Sequence, residues 1–354
     1  MFAGRRGVTT SLVTGGAGFL GAHVVRELLS AGHEVVVLDD LSGGFRDNVP
    51  VEAAFVEGSV VDARLLSTLF AARRFDYVYH LAAYAAEGLS HFIRRFNYVN
   101  NVVGSMNVVN ECVKHDVRCL VFTSSIAVYG AGQLPMREEL TPAPEDPYGI
   151  AKYAVELDLR AAREMFGLNY VVFRPHNVYG EYQNIGDRYR KVIGIFMNRL
   201  MRGEPMPIFG DGSQTRAFSY VGDIVPTIAR AVHVGAAYGE VFNIGADREY
   251  SVSEVATVVA TAMGAERVVE HLEARKEVQH AYSDHSKVDR VFGPQPQTAL
   301  AEGIRRMAEW ARHVGPRESE PFDEIEIARS LPAAWLGGAA SGSGSGWGSG
   351  PPGE

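Results

Sequence analysis

Short apolar runs alternate with amphipathic stretches through the first half of the 354-residue chain. The runs predict buried strands, and apolar residues spaced at i, i+3 and i+4 between them predict helices. The predicted strands lie at 11–14, 34–38, near 53–56, 77–82, 119–124 and 169–174, and the predicted helices lie at 22–31, 62–71, 92–114 and 148–166. Strands that alternate with helices favour an α/β fold built on a doubly wound parallel sheet.

The pattern changes after about residue 176, where loops rich in Gly and Pro (203–214) alternate with short helices. A further strand at 240–244 is expected to return to the sheet. Ser251 and Glu254 have the spacing of a capping box, which predicts a helix over 252–263, and a last helix is expected over 299–313. The Gly/Ser run at 337–354 predicts a disordered tail, since it cannot bury enough apolar surface to fold.

Charge and cysteine content narrow the range of functions. The net charge of −8, without clustered Lys and Arg, argues against nucleic acid as a partner. Cys112 and Cys119 match no metal motif and are expected to be small buried residues, and we predict no metal site. No signal peptide and no run of transmembrane length is visible, so we predict no membrane association and a cytoplasmic location.

The segment TGGAGFLG (14–21) places Gly15, Gly18 and Gly21 between a predicted strand and a predicted helix. Glycine lets the backbone turn tightly and approach a pyrophosphate, which the helix N-terminus attracts. Asp39, at the end of the next predicted strand, could accept hydrogen bonds from the adenosine ribose and would repel a 2′-phosphate, which favours NAD over NADP. The alternatives are that the glycines serve packing alone and that Asp40 is solvated surface.

Tyr148 and Lys152 stand at i and i+4 of a predicted helix, so their side chains share one face. A phenol with a pKa of about 10 is a poor base at neutral pH, but a neighbouring ammonium favours its ionised form. Ser125 follows the strand at 119–124, whose carboxyl end is expected beside the cofactor, and its hydroxyl could share a substrate proton with Tyr148. The alternatives are an exposed helix face for the pair and a local backbone hydrogen bond for Ser125.

Six motifs together resemble the extended short-chain dehydrogenase/reductase family, and most closely its UDP-glucose 4-epimerase group, over about residues 9–313. They are TGGAGFLG, HLAA (80–83), TSSIAVYG (123–130), YGIAK (148–152), RPHNVYG (174–180) and IFGDGSQTRAFSYVGD (208–223). The resemblance implies a Rossmann-type sheet with a smaller C-terminal α/β substrate-binding lobe. It implies an NAD-binding domain over 1–180 with a returning segment near 217–247, a lobe mainly over 181–336, and a homodimer packed through 97–114 and 148–166.

The resemblance also implies an activity: NAD-dependent inversion of carbon 4 of a nucleotide sugar through a transient 4-keto intermediate. Tyr148 would act as the base, aided by Ser125 and Lys152. UDP-glucose and UDP-galactose are the implied substrates, and the small Ala281 would leave room for their N-acetyl forms. Other nucleotide-sugar reductases, dehydratases or epimerases, or a non-catalytic NAD-binding protein, remain as alternatives.

The implied contacts extend to both ligands. The implied cofactor-binding residues are Gly15, Ala17, Gly18, Phe19, Leu20, Asp39, Asp40, Ser59, Val60, Leu81, Ala82, Ala83, Asn101, Ser124, Tyr148, Lys152 and His176. The implied substrate-binding residues are Glu87, Ser125, Asn177, Val192, Pro207, Phe209, Arg216 and Arg275. Several have structural alternatives: Glu87 as a surface carboxylate, Asn177 as a turn residue, Arg216 as a surface ion-pair residue, and Val192 and Phe209 as core residues.

One departure from the family bears on the reaction. Sugar-nucleotide 4,6-dehydratases carry an Asp–Glu pair directly after the catalytic hydroxyl residue, and the related decarboxylases typically carry Glu at the second of these positions. Here the two positions hold Ile126 and Ala127, which cannot transfer the proton needed to expel water. Both alternative chemistries are therefore disfavoured.

Overall fold

Seven parallel strands form the central sheet of the computed structural model, which describes residues 7–274, 278–318, 322 and 325–335. These strands are β1 (Thr10–Thr14), β2 (Glu34–Asp39), β3 (Ala54–Glu57), β4 (Tyr77–His80), β5 (Cys119–Thr123), β6 (Tyr170–Pro175) and β11 (Glu240–Ile244). Their order across the sheet is β11-β6-β5-β4-β1-β2-β3. The remaining strands are β7 (Val178–Tyr179), β8 (Met206–Phe209), β9 (Thr215–Ala217), β10 (Ser219–Tyr220), β12 (Glu249–Ser251), β13 (Val269–Leu272) and β14 (His280–Ala281).

Helices cover both faces of the sheet, which confirms the predicted doubly wound fold. The helices are α1 (Phe19–Ser30), α2 (Ala63–Ala72), α3 (Glu87–Ser90), α4 (Arg94–Tyr98), α5 (Gly104–Lys114), α6 (Pro147–Phe166), α7 (Val192–Met201), α8 (Val221–Arg230), α9 (Val252–Met263), α10 (Ser286–Phe292) and α11 (Leu300–Val314). Helices α2, α5 and α6 bury their apolar residues against one face, and α1 and α8 against the other. The strand order reverses between β1 and β4, and sheets of this type bind ligands at the carboxyl ends of the strands there.

The helix predicted at 92–114 is confirmed over residues 94–114, and π-helical turns at Val99–Val103 join α4 to α5. Asn101 lies in this segment, and its side chain exchanges two hydrogen bonds with the backbone of Tyr84, at 2.8 and 3.0 Å. Ser105 donates to the Asn101 carbonyl at 2.7 Å. Apolar spacing cannot reveal an insertion of this kind, which is common at functional sites.

Two smaller layers follow the central sheet in the chain. Strand β8 pairs with β13, and β9 lies between β12 and β14. Helix α9 packs between α7 and α11, and its apolar residues join the same core as α1 and α8. The predicted capping box is confirmed, since the Ser251 hydroxyl accepts from the Glu254 amide at 3.1 Å and the Ser251 amide donates to the Glu254 carboxylate at 2.7 Å.

The structure also bears on the predicted returning strand and on the two cysteines. The strand predicted at 240–244 is confirmed as β11, which pairs with β6 at the sheet edge. Cys112 and Cys119 are free and buried, as expected. Within the described residues, no helix combines the length and apolar character that would let it cross a lipid bilayer. The tail at 337–354 lies outside the described residues.

Candidate active site

The glycine-rich turn between β1 and α1 is packed so closely that side chains do not fit. Gly15 has a φ of +73°, and a Cβ there would lie 2.6 Å from the Ala82 amide nitrogen. A Cβ on Gly21 would lie 2.0 Å from the Gly15 carbonyl oxygen. Helix α1 begins after Gly18, which has no side-chain cap, and its first turn has no acidic residue. Its first N–H groups therefore suit an anion, and this turn fits a dinucleotide pyrophosphate.

Asp39 closes the glycine-rich turn from the adjacent strand. Its carboxylate accepts from the Ala17 amide at 2.9 Å and from the Leu41 amide at 2.8 Å. Burial raises the pKa of Asp39, and these backbone donors oppose the shift. A carboxylate oxygen can accept more than one hydrogen bond, so the geometry leaves capacity for a ribose hydroxyl. The neighbouring Asp40 is exposed and accepts from Ser42.

A buried polar chain that the sequence analysis missed lies behind this turn. Thr14 Oγ1 contacts His80 Nδ1 at 2.7 Å, and His80 Nε2 contacts Ser105 Oγ at 2.8 Å. Through Ser105 the chain reaches Asn101, which holds the backbone of Tyr84. Burial lowers the pKa of His80 to about 3, so this histidine is neutral and acts as a structural connector. This hydrogen-bond network connects the end of β1 to the loop after β4, where Leu81, Ala82 and Ala83 are half-buried.

Tyr148 and Lys152 lie on the first turns of α6, directly beside the end of β5. Asp146 caps this helix by accepting from the Gly149 amide at 2.9 Å, and the Ser90 hydroxyl accepts from the Tyr148 amide at 3.2 Å. The Lys152 ammonium lies 5.8 Å from the Tyr148 ring centroid and donates to the Thr123 carbonyl at 2.8 Å. Both side chains are buried, so the exposed-face alternative is wrong.

Ser125 follows β5 and faces the same tyrosine. Its hydroxyl accepts from the Ala127 amide at 3.1 Å, so the local backbone bond is present. It also lies within reach of the Tyr148 phenol, and its interaction with that group lowers the pKa of Tyr148. The structure thus brings the three predicted catalytic residues into one cluster at the carboxyl edge of the sheet.

Burial dominates the pKa values of this cluster. It raises the pKa of Tyr148 above its ordinary value, more than the interaction with Ser125 lowers it. It lowers the pKa of Lys152 to about 7, against the opposing charge of Glu156 one turn further along α6. Both groups therefore favour their neutral forms, and a positive charge placed beside the phenol is what would favour ionisation.

Two predicted cofactor residues make buried contacts within the protein. The Ser124 hydroxyl donates to Glu156 at 2.5 Å, and Glu156 pairs with Arg174 at 2.5 Å. His176 contacts the Ala217 carbonyl and the His285 ring, each at 3.0 Å. Burial lowers the pKa of His176 to about 3. The side chains of Ser124 and His176 thus stabilise the region behind the strand ends.

Other predicted cofactor residues surround the glycine-rich turn or the end of β3. Phe19 is buried and Leu20 is half-buried in the first turn of α1. The Ser59 hydroxyl accepts from the Val61 amide at 3.3 Å, and Val60 is buried against α5, where a Cβ on Gly104 would lie 2.7 Å from it.

Three predicted substrate residues line one cavity of about 480 Å³, namely Val192, Pro207 and Phe209. The cavity lies between α7, β8 and β13. Its volume is within the range of small-molecule sites. Trp335 also lines it, and sequence reasoning missed this residue because the chain near it shows neither periodicity nor a motif.

The remaining predicted substrate residues are dispersed. Arg216 donates to the carbonyls of Thr215, Val278 and Gln279, so its guanidinium ties β9 to the chain before β14. Asn177 is exposed with a left-handed φ of +40°, and Glu87 is exposed at the start of α3 within the electrostatic range of Tyr148. Arg275 lies outside the described residues.

Arg190 is a further residue that the sequence analysis missed. Its guanidinium lies 4.5 Å over the Tyr84 ring and donates to Asp187 at 2.5 Å. Its charge lowers the pKa of Tyr148. The local signal is a charged and aromatic loop before α7, which carries no recognisable pattern.

The chain is similar to a known protein family and to several named proteins. The model of the NAD dependent epimerase/dehydratase family matches residues 11–245. A UDP-glucose 4-epimerase of Mycolicibacterium smegmatis is 36% identical over 311 residues, 86% of this chain and 98% of that protein. A dTDP-glucose 4,6-dehydratase of an Actinoplanes species is 32% identical over 317 residues, 85% and 97% of the two chains. The structure of a Thermotoga maritima UDP-glucose 4-epimerase with UDP-glucose has a TM-score of 0.80 and 34% identity, covering 86% of this chain and 99% of that one.

Proposed function

Since the chain belongs to the NAD dependent epimerase/dehydratase family, we propose that it is a 4-epimerase that inverts carbon 4 of UDP-glucose, UDP-galactose or their N-acetyl forms. One observation carries the proposal: Tyr148 and Lys152 are buried and cluster with Ser125 at the carboxyl edge of the sheet, the same edge that carries the glycine-rich turn. This is where open α/β sheets bind their ligands.

The chain's own residues supply the proton transfers. NAD held by the glycine-rich turn and Asp39 would supply reversible hydride transfer at carbon 4 of the sugar. Tyr148 accepts the proton of the carbon 4 hydroxyl, with Ser125 beside the phenol, and gives the proton back after the sugar has turned over. The Lys152 amine lies 5.8 Å from the Tyr148 ring centroid, and in its protonated form it would place a positive charge that favours the ionised phenol.

The cavity beside α7 supports a nucleotide-linked sugar as the substrate. Its apolar residues Val192, Pro207 and Phe209 suit a planar base, and three arginines nearby, Arg188, Arg199 and Arg202, line the same cavity. A substrate anchored by its nucleotide can rotate its sugar about the diphosphate without leaving the protein. The small Ala281 is buried against Ile126 and Met136, in the cluster that adjoins Ser125.

Dehydration is the second candidate, because relatives of similar identity are named dTDP-glucose 4,6-dehydratases. Elimination of water from carbon 6 needs an acid directly beside the catalytic hydroxyl residue. Ile126 is buried, and the Ala127 amide donates to the Ser125 hydroxyl. Both side chains are apolar, so neither position offers a proton donor. The site chemistry favours epimerisation.

Purified protein incubated with UDP-, dTDP-, GDP- and CDP-sugars, without added cofactor, tests the proposal. NMR should show inversion at carbon 4 without release of a 4-keto-6-deoxy product. Tyr148→Phe should abolish inversion while bound NAD, measured after denaturation, stays at the wild-type level. Tyr153→Phe on the same helix is the matched control and should keep its rate. A 4-keto-6-deoxy product, or full activity of Tyr148→Phe, would contradict the proposed reaction.

A further inference from the structure

The C-terminal segment at 325–335, here called the strap, is hydrogen-bonded to the loop and helix that follow β4. The Glu326 carboxylate accepts from the amides of Arg95 and Phe96 at 2.8 and 2.7 Å, which caps the N-terminus of α4. The amides of Glu326 and Ile327 donate to the Phe92 carbonyl at 2.9 and 3.1 Å. The strap therefore has a defined position against the cofactor half of the molecule.

Trp335 ends the described part of the strap and is 5% exposed. Its ring meets Phe92 and Tyr189 edge to face, with centroids 6.2 and 5.6 Å apart. A Cβ on Gly88 would lie 3.1 Å from the indole, so the glycine makes room for the ring. These contacts hold the indole in one orientation, since a bulky aromatic packed on several sides loses its rotamer freedom.

The same indole forms part of the wall of the cavity that contains Val192, Pro207 and Phe209. Its centroid lies 6.5 Å from that of Phe209, at an interplanar angle of 74°. The chain before the strap reaches this cavity too: Glu318 lines it, and Arg317 exchanges hydrogen bonds of 2.8 and 2.9 Å with Asn198 of α7. The C-terminal segment thus joins α7 on one side of the cavity to α3 and α4 on the other.

We propose that Trp335 is a specificity-determining residue that contacts the base of a nucleoside diphosphate sugar in this cavity. The proposal rests on the proposed function for its choice of ligand. The two aromatic rings, with Leu272 and Pro207, offer flat apolar surface suited to a base, whereas a sugar needs polar partners for each hydroxyl. The strap lies beyond residues 11–245, the part of the chain that the family model matches.

Tryptophan fluorescence tests the contact without turnover. The chain has three tryptophans, and the double variant Trp310→Phe, Trp347→Phe leaves Trp335 as the sole reporter. Titration with UDP, dTDP, GDP and CDP should give saturable quenching by at least one of them, whereas inorganic pyrophosphate, which lacks a base, should give none. Absence of quenching by all four nucleotides, or equal quenching by pyrophosphate, would overturn the proposal.

Kinetics and calorimetry of Trp335→Ala provide the second test. The KM for the nucleotide sugar should rise about tenfold, the range expected from loss of one base–aromatic contact, with kcat within about twofold. The dissociation constant of the free nucleotide should rise in parallel, that of pyrophosphate should not change, and Trp335→Phe should recover part of the affinity.

Leu331→Ala is the matched control, because Leu331 packs in the same apolar cluster but does not line the cavity. It should leave the KM near the wild-type value. An equal rise in KM in both variants would show that strap packing, and not the indole contact, determines affinity. Quenching by a nucleotide without any epimerisation would refute the proposed function alone, and epimerisation with an unchanged KM in Trp335→Ala would refute this inference alone.

Discussion

Lys152→Met should remove activity and at the same time stabilise the protein freed of its cofactor. Lys152 is 3% exposed, and burial lowers its pKa to about 7 from the ordinary lysine value of 10.5. In the unfolded chain the ammonium is hydrated, and the folded state must either desolvate it or release its proton. Methionine has similar length and no charge, so the variant avoids this cost.

The magnitude follows from proton linkage. Between about pH 7 and pH 10 the unfolded chain binds more protons than the folded one at this site, so the wild-type free energy of unfolding rises with pH by up to about 1.4 kcal/mol per unit. The cost of burying Lys152 is about 4 kcal/mol at pH 7 and about 2 kcal/mol at pH 9. The bond to the Thr123 carbonyl offsets about 1 kcal/mol. The expected net gain is therefore about 3 kcal/mol at pH 7 and about 1 kcal/mol at pH 9.

Urea unfolding of cofactor-free protein at about pH 7, 8 and 9, followed by circular dichroism, measures both the gain and its slope. The matched control is Lys287→Met, because Lys287 pairs with Glu240, whose side chain is 47% exposed and stays hydrated when the lysine is removed. That variant should lie within about 0.5 kcal/mol of wild type, with the same pH dependence. If Lys152→Met were less stable than wild type at pH 7, or kept the wild-type slope, the argument that burial sets the lysine pKa would be refuted.

Three further predictions follow from the packing. Gly15→Ala should lose bound NAD and should lower the unfolding temperature more than Gly32→Ala does. Both glycines have a positive φ, but only a Cβ at residue 15 would meet backbone, at 2.6 Å. Equal unfolding temperatures and equal NAD contents of the two variants would contradict this. Glu156→Gln should cost about 3–5 kcal/mol in urea unfolding, since Arg174 would keep a buried charge without its counter-ion; a change under about 1 kcal/mol would refute it. Ser251→Ala should lower the free energy of unfolding by about 1 kcal/mol through loss of the N-cap of α9 and leave the reaction rate unchanged. A lower rate measured where the variant is fully folded would count against a purely structural role.

The glycine-rich turn and the helix that carries Tyr148 and Lys152 were accessible from the sequence because their geometry is local. A strand, three spaced glycines and a helix start dictate a turn of one shape, and the i, i+4 spacing places Tyr148 and Lys152 on one face. The doubly wound parallel sheet followed from the alternation of strand and helix patterns, whereas its strand order came from the structure. The π-helical turns at Val99–Val103 within the helix predicted at 92–114 could not be predicted, because a change in the backbone hydrogen-bond pattern leaves no mark in the apolar spacing.

The amino-acid sequence by itself determined the doubly wound sheet and which residues stand at its carboxyl edge, because backbone conformation and helical periodicity depend on near neighbours. Tertiary structure alone decided how side chains distant in the chain meet: Ser124 against Glu156, Arg190 over Tyr84, and Trp335 beside Phe209. These contacts arise where separate elements pack together, and their energies depend on burial, which no local pattern encodes.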